Sequence, residues 1–538
     1  MQNDSSAPLV IRRVLFSVSD KEGLSELGRI FQEQGAELVA TGRTASALLD
    51  AGLSVVPIEK ISGSPTSFQG RMKTLSFPVC SGILYRRGDS QDELDLRELG
   101  IKPIDCVVVN FYPFGSAFHH LDISSGISQE QLIEEIDIGG PTLVRAAAKN
   151  SPDVLVLTNP SQYSNIIQEL KTEGQILPST VQRCASEAWD CILNYDSVIA
   201  RELGSKEKKI LKYGENPHQK SYFHCNPDSP IEWSDPVCST NISYNNVLDL
   251  SSAYMLASDL NQVFPSFSGV VIMKHNNPCG VSWVPLSVPG AQKIALMHAW
   301  EGDPVSAFGG CVVFTQPLEE ETVLWLRECF IEFIAAPELR MDSSMIELLL
   351  AKRKNLKGLR IHRWGDFPKE IRVDVPGGCL YQSPDQVQEG TVQETLRSVT
   401  ELEWPKEKEQ VAQFGILVCK SLKSNAIALV REVNEGSRVF QLVGAGQGQP
   451  NRIDALCLLA LPRARIVLQS SGGRLSECVL VSDAFCPFRD TVDIAHRAGI
   501  QYIVQPGGSL RDAESIQACN ENEMSMVFTG MRHFRHFI

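Results

Sequence analysis

The chain has no Cys-x-x-Cys pair, no Cys/His cluster at zinc spacing and no apolar stretch of about 18 residues. The first two absences argue against a structural metal. The third argues against a membrane-spanning helix, and the apolar run at residues 14–16 is too short for the core of a signal peptide. Basic residues are outnumbered: 50 Lys and Arg stand against 64 Asp and Glu, a net charge of −14. Broad nucleic-acid binding needs a basic field that releases counterions, so this balance points away from it. Small anions are not excluded, because a local pocket can oppose the overall sign. Residues 1–204 hold only the adjacent His119 and His120. The 15 cysteines, an odd number scattered from Cys80 to Cys519, read as buried free thiols of a reducing compartment. The expectation is a soluble cytoplasmic protein that requires no metal and has neither nucleic acid nor membrane as partner.

What is present is globular: 43% hydrophobic and 21% charged residues in 538 positions, too many for one core. Strand signals at 14–18, 38–40, 106–111 and 154–158 alternate with helical signals at 21–34, closed by Gly35, and at 46–51. A long helix at 180–203 follows. This alternation predicts an α/β fold with a parallel sheet covered by helices. The charged, aperiodic segment 204–210 sets a boundary between domains 1–204 and 205–538. The second domain also reads as α/β, with strands at 269–273, 310–314, 426–429 and 501–504 and a helix at 344–356. A Pro/Gly-containing stretch at 375–386 divides it into two candidate lobes, split near 375–390.

Five N-terminal segments carry polar residues where strands run into loops, the place where doubly wound sheets bind ligands. Ser17-Val18-Ser19-Asp20-Lys21 offers hydroxyls and a helix start that can hold a phosphate, with Ser19 or Asp20 as an ordinary N-cap the simpler alternative. Thr41-Gly42-Arg43-Thr44 suits a phosphate or a plain turn. Arg71-Met72-Lys73-Thr74 is a cationic pair in an acidic chain, functional or merely solvated. Asn110-Phe111-Tyr112-Pro113-Phe114 puts polar groups at an apolar strand end. Asp137-Ile138-Gly139-Gly140-Pro141-Thr142 leads into a helix on which Arg145 and Lys149 share one face.

In the second domain an apolar strand ends in Lys274-His275-Asn276-Asn277-Pro278-Cys279-Gly280. Two groups that each disfavour the other's protonation favour a neutral, basic His275. A neutral imidazole beside a cation suits deprotonation of an amine together with stabilisation of an oxyanion; a structural histidine is the alternative. Pro278-Cys279 suggests a zinc deaminase, but the companion His-x-Glu and Pro-Cys-x-x-Cys are absent.

These motifs, in this order, resemble the bifunctional purine-biosynthesis family that joins AICAR transformylase to IMP cyclohydrolase. The likeness rests on SVSDK, RMKTL, NFYPF, IDIGG and LVRAAAKN, and then on YGENPHQ, KHNNPCG, DPVSAFGG, KSNAI, GAGQ with Arg452, SDAF, PFRD, QPGGS and a terminal Arg532-His533-Phe534. It runs from Leu15 to the C-terminus. It implies a methylglyoxal-synthase-like N-terminal domain and a duplicated cytidine-deaminase-like C-terminal domain that works as a homodimer with sites at the subunit interface. It implies formyl transfer from 10-formyl-tetrahydrofolate to AICAR, then closure of the product, FAICAR, to IMP with loss of water.

By motif, Lys73, Tyr112, Asp137 and Lys149 match the cyclohydrolase chemistry, and Ser17, Ser19, Lys21, Thr41, Arg71, Thr74 and Asn110 match its nucleotide contacts. Lys274, His275 and Asn425 match the transformylase chemistry. Lys212, Tyr213, Asn246, Phe308, Gly309, Glu332, Arg452, Arg532 and Phe534 match the AICAR contacts; Phe485, Phe488 and Asp490 match the folate contacts. The chain departs from the family pattern at Arg43, where glycine is usual, at Ser76 and Cys80, near which the family carries histidines, and at Lys212, where it carries arginine. The first three departures motivate an alternative: a transformylase alone, with a degenerate N-terminal domain kept for nucleotide binding or dimerisation.

Overall fold

The computed structural model describes residues 8–65, 67–68, 71–111, 133–203, 208–226, 228–233, 242–339, 344–352, 355–365, 367–386 and 396–536. It forms two compact units, Met1–Ser205 and Lys206–Ile538. Tyr112, Pro113, Phe114, His119 and His120 lie outside the described residues.

The first unit is built on β1 (Arg13–Val18), β2 (Glu37–Ala40), β3 (Val55–Pro57), β4 (Cys106–Asn110) and β5 (Leu155–Leu157), in the spatial order β3-β2-β1-β4-β5. Every pairing is parallel. The strands are near-continuous apolar runs because both faces are covered. Val14, Phe16 and Val18 enter one core with Leu27 and Phe31, whereas Leu15 enters the other with Val107 and Val144. The helix expected at 21–34 spans Leu24–Glu33. It begins only after Gly23, whose φ of 67° lies in the left-handed region. The helix expected at 46–51 starts earlier, at Gly42, and the long one spans Pro178–Leu203.

The second unit opens with a small hairpin, β6 (Lys208–Ile210) and β7 (Tyr222–His224). Among the described residues its main sheet has 11 strands. The first half comprises β8 (Phe267–Lys274), β9 (Asn277–Pro285), β10 (Gly310–Phe314), β11 (Ile331–Pro337) and β12 (Lys357–Ile361). A separate hairpin follows, β13 (Ile371–Val375) with β14 (Gly378–Gln382), and then a short edge strand, β15 (Arg397–Ser398). The second half comprises β16 (Ile427–Glu432), β17 (Phe440–Gly446), β18 (Cys478–Ser482), β19 (Tyr502–Gln505) and β20 (Ser525–Phe528).

The two halves share one topology. In each, an antiparallel hairpin (β8–β9 or β16–β17) is followed by a strand antiparallel to its first member and two more strands in parallel. They meet where β9 pairs with β17, through Trp283 opposite Phe440 and Ser282 opposite Gln441. One face carries a core common to both halves, in which Trp283, Phe414 and Phe440 are buried; the other face carries one separate core per half. The stretch expected to divide two lobes is thus a hairpin on the crossover between halves of a single sheet.

Glycines let helices lie directly on the second strand of each half. A Cβ on Gly280 would sit 1.9 Å from the Ala299 carbonyl oxygen, and one on Gly446 1.9 Å from that of Ala455. Because that contact is backbone, it cannot yield as a side chain would. Gly280→Ala is therefore expected to destabilise the second unit by about 3 kcal/mol, read as a lowered urea midpoint. Gly378→Ala, where a Cβ meets nothing within 4 Å, serves as the neutral control.

Candidate active sites

In the first unit the strand order reverses at β1, which has β2 on one side and β4 on the other. Such switch points open a crevice beyond the carboxyl ends of the strands, and the polar segments converge there. The Asn110 side-chain oxygen accepts the amides of Ser19 (2.6 Å) and Asp20 (2.9 Å), and its amide donates to the Asp20 carbonyl (2.9 Å). The Ser19 hydroxyl lies 2.8 Å from the Phe111 carbonyl. This clamp ties residues 19–20 to β4 and delays the helix to Leu24, so neither Ser19 nor Asp20 is its N-cap; that reading is corrected. Lys21 is exposed beside them. Thr41 is the N-cap residue of the next helix, but its hydroxyl contacts Ser17 Oγ (3.2 Å) and makes no cap. Arg43 is exposed in that helix's first turn.

Thr74 and Asp137 come together around two glycines. The Gly140 amide donates to Asp137 Oδ1 at 2.8 Å, and the Asp137 amide donates to the Tyr195 hydroxyl at 2.7 Å. A Cβ on Gly140 would lie 2.3 Å from Asp137 Oδ2, and one on Gly139 2.7 Å from Thr74 Oγ1, so the Gly-Gly pair makes the space both side chains occupy. Burial pushes the Asp137 carboxyl above the ordinary aspartate range, against the pull of the Gly140 and Gly139 amides and the Lys73 ammonium. Arg71 is paired with Glu134, and both are exposed. Lys149 is not brought to this group. It ends the helix Gly139–Lys149, about 15 Å along the axis from Gly139 at about 1.5 Å per residue. Ser76 and Cys80 flank the first turn of the helix Phe77–Leu84, with the Ser76 hydroxyl buried and without a hydrogen-bond partner among the described residues.

In the second unit β8 runs antiparallel to β16 through β9 and β17. The carboxyl end of β8 therefore shares an edge of the sheet with the start of β16, the starts of β10–β12 and the ends of β18–β20. The chain does not leave the sheet after Lys274, as a polar loop would. Lys274 pairs with Asn277 across a two-residue turn in which His275 and Asn276 have φ of 52° and 58°. Two positive φ values make this a primed hairpin turn. Asn tolerates it readily, whereas strained positions of this kind cost of order 1–3 kcal/mol. Pro278 is accommodated in β9 at a register shift.

His275 is exposed at the tip of this turn. Lys274 Nζ donates to the Gly309 carbonyl at 2.6 Å, and Gly309 (φ 70°) donates to the Phe330 carbonyl at 2.7 Å. Phe308, 60% exposed, is stacked on Phe330 with ring centroids 4.6 Å apart. An exposed flat ring thus belongs to the residue just before the carbonyl that Lys274 grips. Glu332 is exposed at the start of β11. Lys357 is its neighbour: burial pushes that ammonium's pKa down, Glu332 opposes this and Lys212 adds to it. Lys212 also lies 5.4 Å from the centre of the Tyr213 ring. Asn246 is buried and forms a reciprocal cap with Ser243, so its side chain holds the start of the helix Tyr244–Val263.

The remaining residues form a second group on the same edge. Three strand spacings of about 4.8 Å separate β8 from β16, about 14 Å in all. Both amide hydrogens of Asn425 are engaged, donating to the Gln449 and Pro450 carbonyls, both at 3.1 Å, while its oxygen accepts from Arg452 at 3.3 Å and keeps a second acceptor position. Arg452 is buried and ion-paired to Asp483 at 3.1 Å, and it donates to the Phe485 carbonyl at 2.7 Å. Its guanidinium thus orients Asn425 from inside the protein instead of reaching outward. The C-terminal tail passes the same place. The His533 amide donates to the Asp483 carbonyl, Ser424 and Arg535 exchange hydrogen bonds, and Arg532 covers the Phe534 ring at 4.5 Å. Phe485 is half-buried. Phe488 is exposed under the Arg511 guanidinium at 4.8 Å, and Asp490 begins the helix Asp490–Ala498.

Sequence reasoning missed Asp249, Phe330, Lys357 and Asp483. Asp249 did leave a signal: Asn246, Asp249 and Ser252 recur every third residue on the buried side of a helix whose other buried residues are Leu and Ala with Tyr254, Ser258 and Asp259. Among the described residues no group of three or more His, Cys, Asp or Glu could hold a metal ion, and no helix is long and apolar enough to cross a membrane. Every described cysteine is a free thiol, and only Cys379 is exposed.

Comparison with known proteins matches both units. The sequence model of the AICARFT/IMPCHase bienzyme family matches residues 147–461, and that of the MGS-like domain matches residues 23–142. The bifunctional purine biosynthesis protein PurH of Aquifex aeolicus is 38% identical over 97% of this chain and 100% of its own length. That of Acetivibrio thermocellus is 36% identical over 98% and 100%, and that of Prochlorococcus marinus 37% identical over 97% and 99%.

Proposed function

Because the chain belongs to the AICARFT/IMPCHase bienzyme family, we propose that its two units divide two consecutive steps of purine biosynthesis between them. The protein is a bifunctional enzyme, an AICAR transformylase and IMP cyclohydrolase. Likeness to PurH proteins over nearly their whole length disfavours a transformylase alone. We assign cyclisation to residues 1–204 and formyl transfer to residues 205–538, with 10-formyl-tetrahydrofolate as the donor. The observation that carries the second assignment is the exposed His275 turn beside Lys274 and the stacked Phe308.

In formyl transfer the 5-amino nitrogen of AICAR attacks the formyl carbon. His275 takes the amine proton as the new C–N bond forms, and Lys274 stabilises the oxyanion and helps protonate the folate nitrogen as its bond to carbon breaks. Asn425, fixed by Arg452, orients the carboxamide, and Phe308 supports the imidazole ring. Lys212, Tyr213, Gly309, Glu332, Arg532 and Phe534 contact the nucleotide; Phe485, Phe488 and Asp490 contact the pterin. In cyclisation the carboxamide nitrogen attacks the formamide carbon and water leaves. Lys73, Tyr112 and Asp137 move the protons and stabilise the oxyanion, whereas Lys149, at the far end of the helix Gly139–Lys149, is left out of that step; Ser17, Ser19, Lys21, Thr41, Arg71, Thr74 and Asn110 hold the nucleotide. Within one chain the strand of Lys274 and that leading from Asn425 are three spacings apart, about 14 Å, which supports a homodimer in which one copy completes the other's site; a cytoplasmic location belongs to the same proposal.

The full chain given AICAR and 10-formyl-tetrahydrofolate is expected to yield IMP, because irreversible closure pulls formylation of a weakly nucleophilic aromatic amine. FAICAR accumulating without IMP would refute the cyclohydrolase assignment. In the same assay Lys212→Arg is expected to lower the AICAR KM about threefold to tenfold, since a guanidinium grips phosphate with two parallel hydrogen bonds and an ammonium does not. An unchanged or raised KM counts against Lys212 as a phosphate ligand.

A further inference from the structure

His275 does its work from a backbone conformation that its own side chain does not favour, so something outside the turn must hold it there. We propose that Asp249 is the positioning residue that fixes the Lys274–Asn277 turn for formyl transfer, acting through the backbone and not on the substrate. The proposal rests on the assignment of Lys274 and His275 given above.

Asp249 lies in the helix Tyr244–Val263 and is 8% exposed. Its Oδ1 accepts the Asn276 amide at 2.7 Å, and the His275 amide also faces the carboxylate. Two successive amides from left-handed residues form a small concave donor pair that suits one anionic oxygen group, and Asp249 supplies it from below. The turn is braced further. Asn277 Nδ2 donates to the His275 carbonyl at 3.0 Å, and Ser252, one helical turn beyond Asp249, places its hydroxyl 3.3 Å from Asn276 Oδ1. Burial pushes the Asp249 carboxyl above the ordinary aspartate range, against the pull of the Asn276 and His275 amides and the Lys274 ammonium.

The alternative is a buried carboxylate that merely supports the fold, and kinetics on full-length protein separate the two. Asp249→Ala is expected to cut kcat of formyl transfer about 100-fold, the usual scale for a group displaced by about 1 Å. The KM for AICAR and for the folate should change less than about threefold. Asp249→Asn keeps an oxygen for the Asn276 amide and is expected to recover kcat to about tenfold below wild type. Both variants should cyclise supplied FAICAR at the wild-type rate. A wild-type kcat in either variant, an Asn variant no better than the Ala variant, or a loss shared between kcat and KM overturns the proposal. If the Ala variant does not accumulate, the Asn variant decides: a tenfold loss in kcat at constant KM supports the positioning role, and a wild-type rate refutes it. Full formyl transfer by His275→Ala would instead overturn the underlying site assignment.

Discussion

Replacing His275 by alanine is expected to slow formyl transfer by about 10³-fold, within the range that a positioned general base contributes. Conversion of supplied FAICAR to IMP by the same full-length variant should stay at the wild-type level. The turn geometry offers a second route to the same loss, because alanine suits a positive φ no better than histidine and its strain could disturb Lys274. His275→Asn separates the effects: asparagine adopts this conformation readily yet cannot act as the base. It should be as slow as the alanine variant, with AICAR binding intact. Formyl transfer that survives in the asparagine variant would remove His275 from the chemistry, and loss of both activities in either variant would break the division of labour between the units.

Asp137→Asn is expected to slow cyclisation of FAICAR by about 10²–10³-fold while formyl transfer continues. The pH profile gives the sharper reading. Burial raises the Asp137 carboxyl above the ordinary aspartate range. If Asp137 takes the proton, the reactive form is the carboxylate. The wild-type rate should then hold at high pH and fall as pH drops through a value above about 3.9, the ordinary aspartate pKa. The variant should lack that limb. A limb at the same pH in both proteins would assign it to another group and reduce Asp137 to a cap for Gly140. Gly140→Ala gives a steric counterpart: its methyl would occupy the space of Asp137 Oδ2.

Strands buried on both faces were legible because an unbroken apolar run of four to six residues between turn signals suits little besides a covered strand. The run at 310–314 appears with those bounds, and 106–111 and 154–158 within a residue or two. What escaped were elements whose character is set by partners. β9 begins Asn-Pro-Cys-Gly, which reads as a loop until β8 and β17 are known to flank it. β3 has three residues, as β5 does, but it is only partly buried and ends in proline, so no covered apolar run marks it. The helix expected at 344–356 ends at Leu350. At the sites, the residue types proposed for the chemistry stood out in the sequence, whereas the residues hydrogen-bonded behind them did not. Asp249 and Asp483 act through backbone amides or another side chain across the fold, so their importance depends on distances that no local pattern encodes. The same holds for Arg452: its motif suggested a ligand contact, and its burial against Asp483 shows a strut.

The seam between β9 and β17 has a consequence for how the molecule is made. Each half of the large sheet is drawn from one continuous stretch of chain, so during synthesis the first can close while the second is still being translated. Until β17 arrives, β9 is an open edge strand, apolar over Val281, Trp283 and Val284, with unpaired amides along one side. Such an edge accepts any strand of suitable register. A neighbouring chain's β17 presents the same sequence as its own, which makes exchange of halves between nascent chains the characteristic misassembly of this architecture.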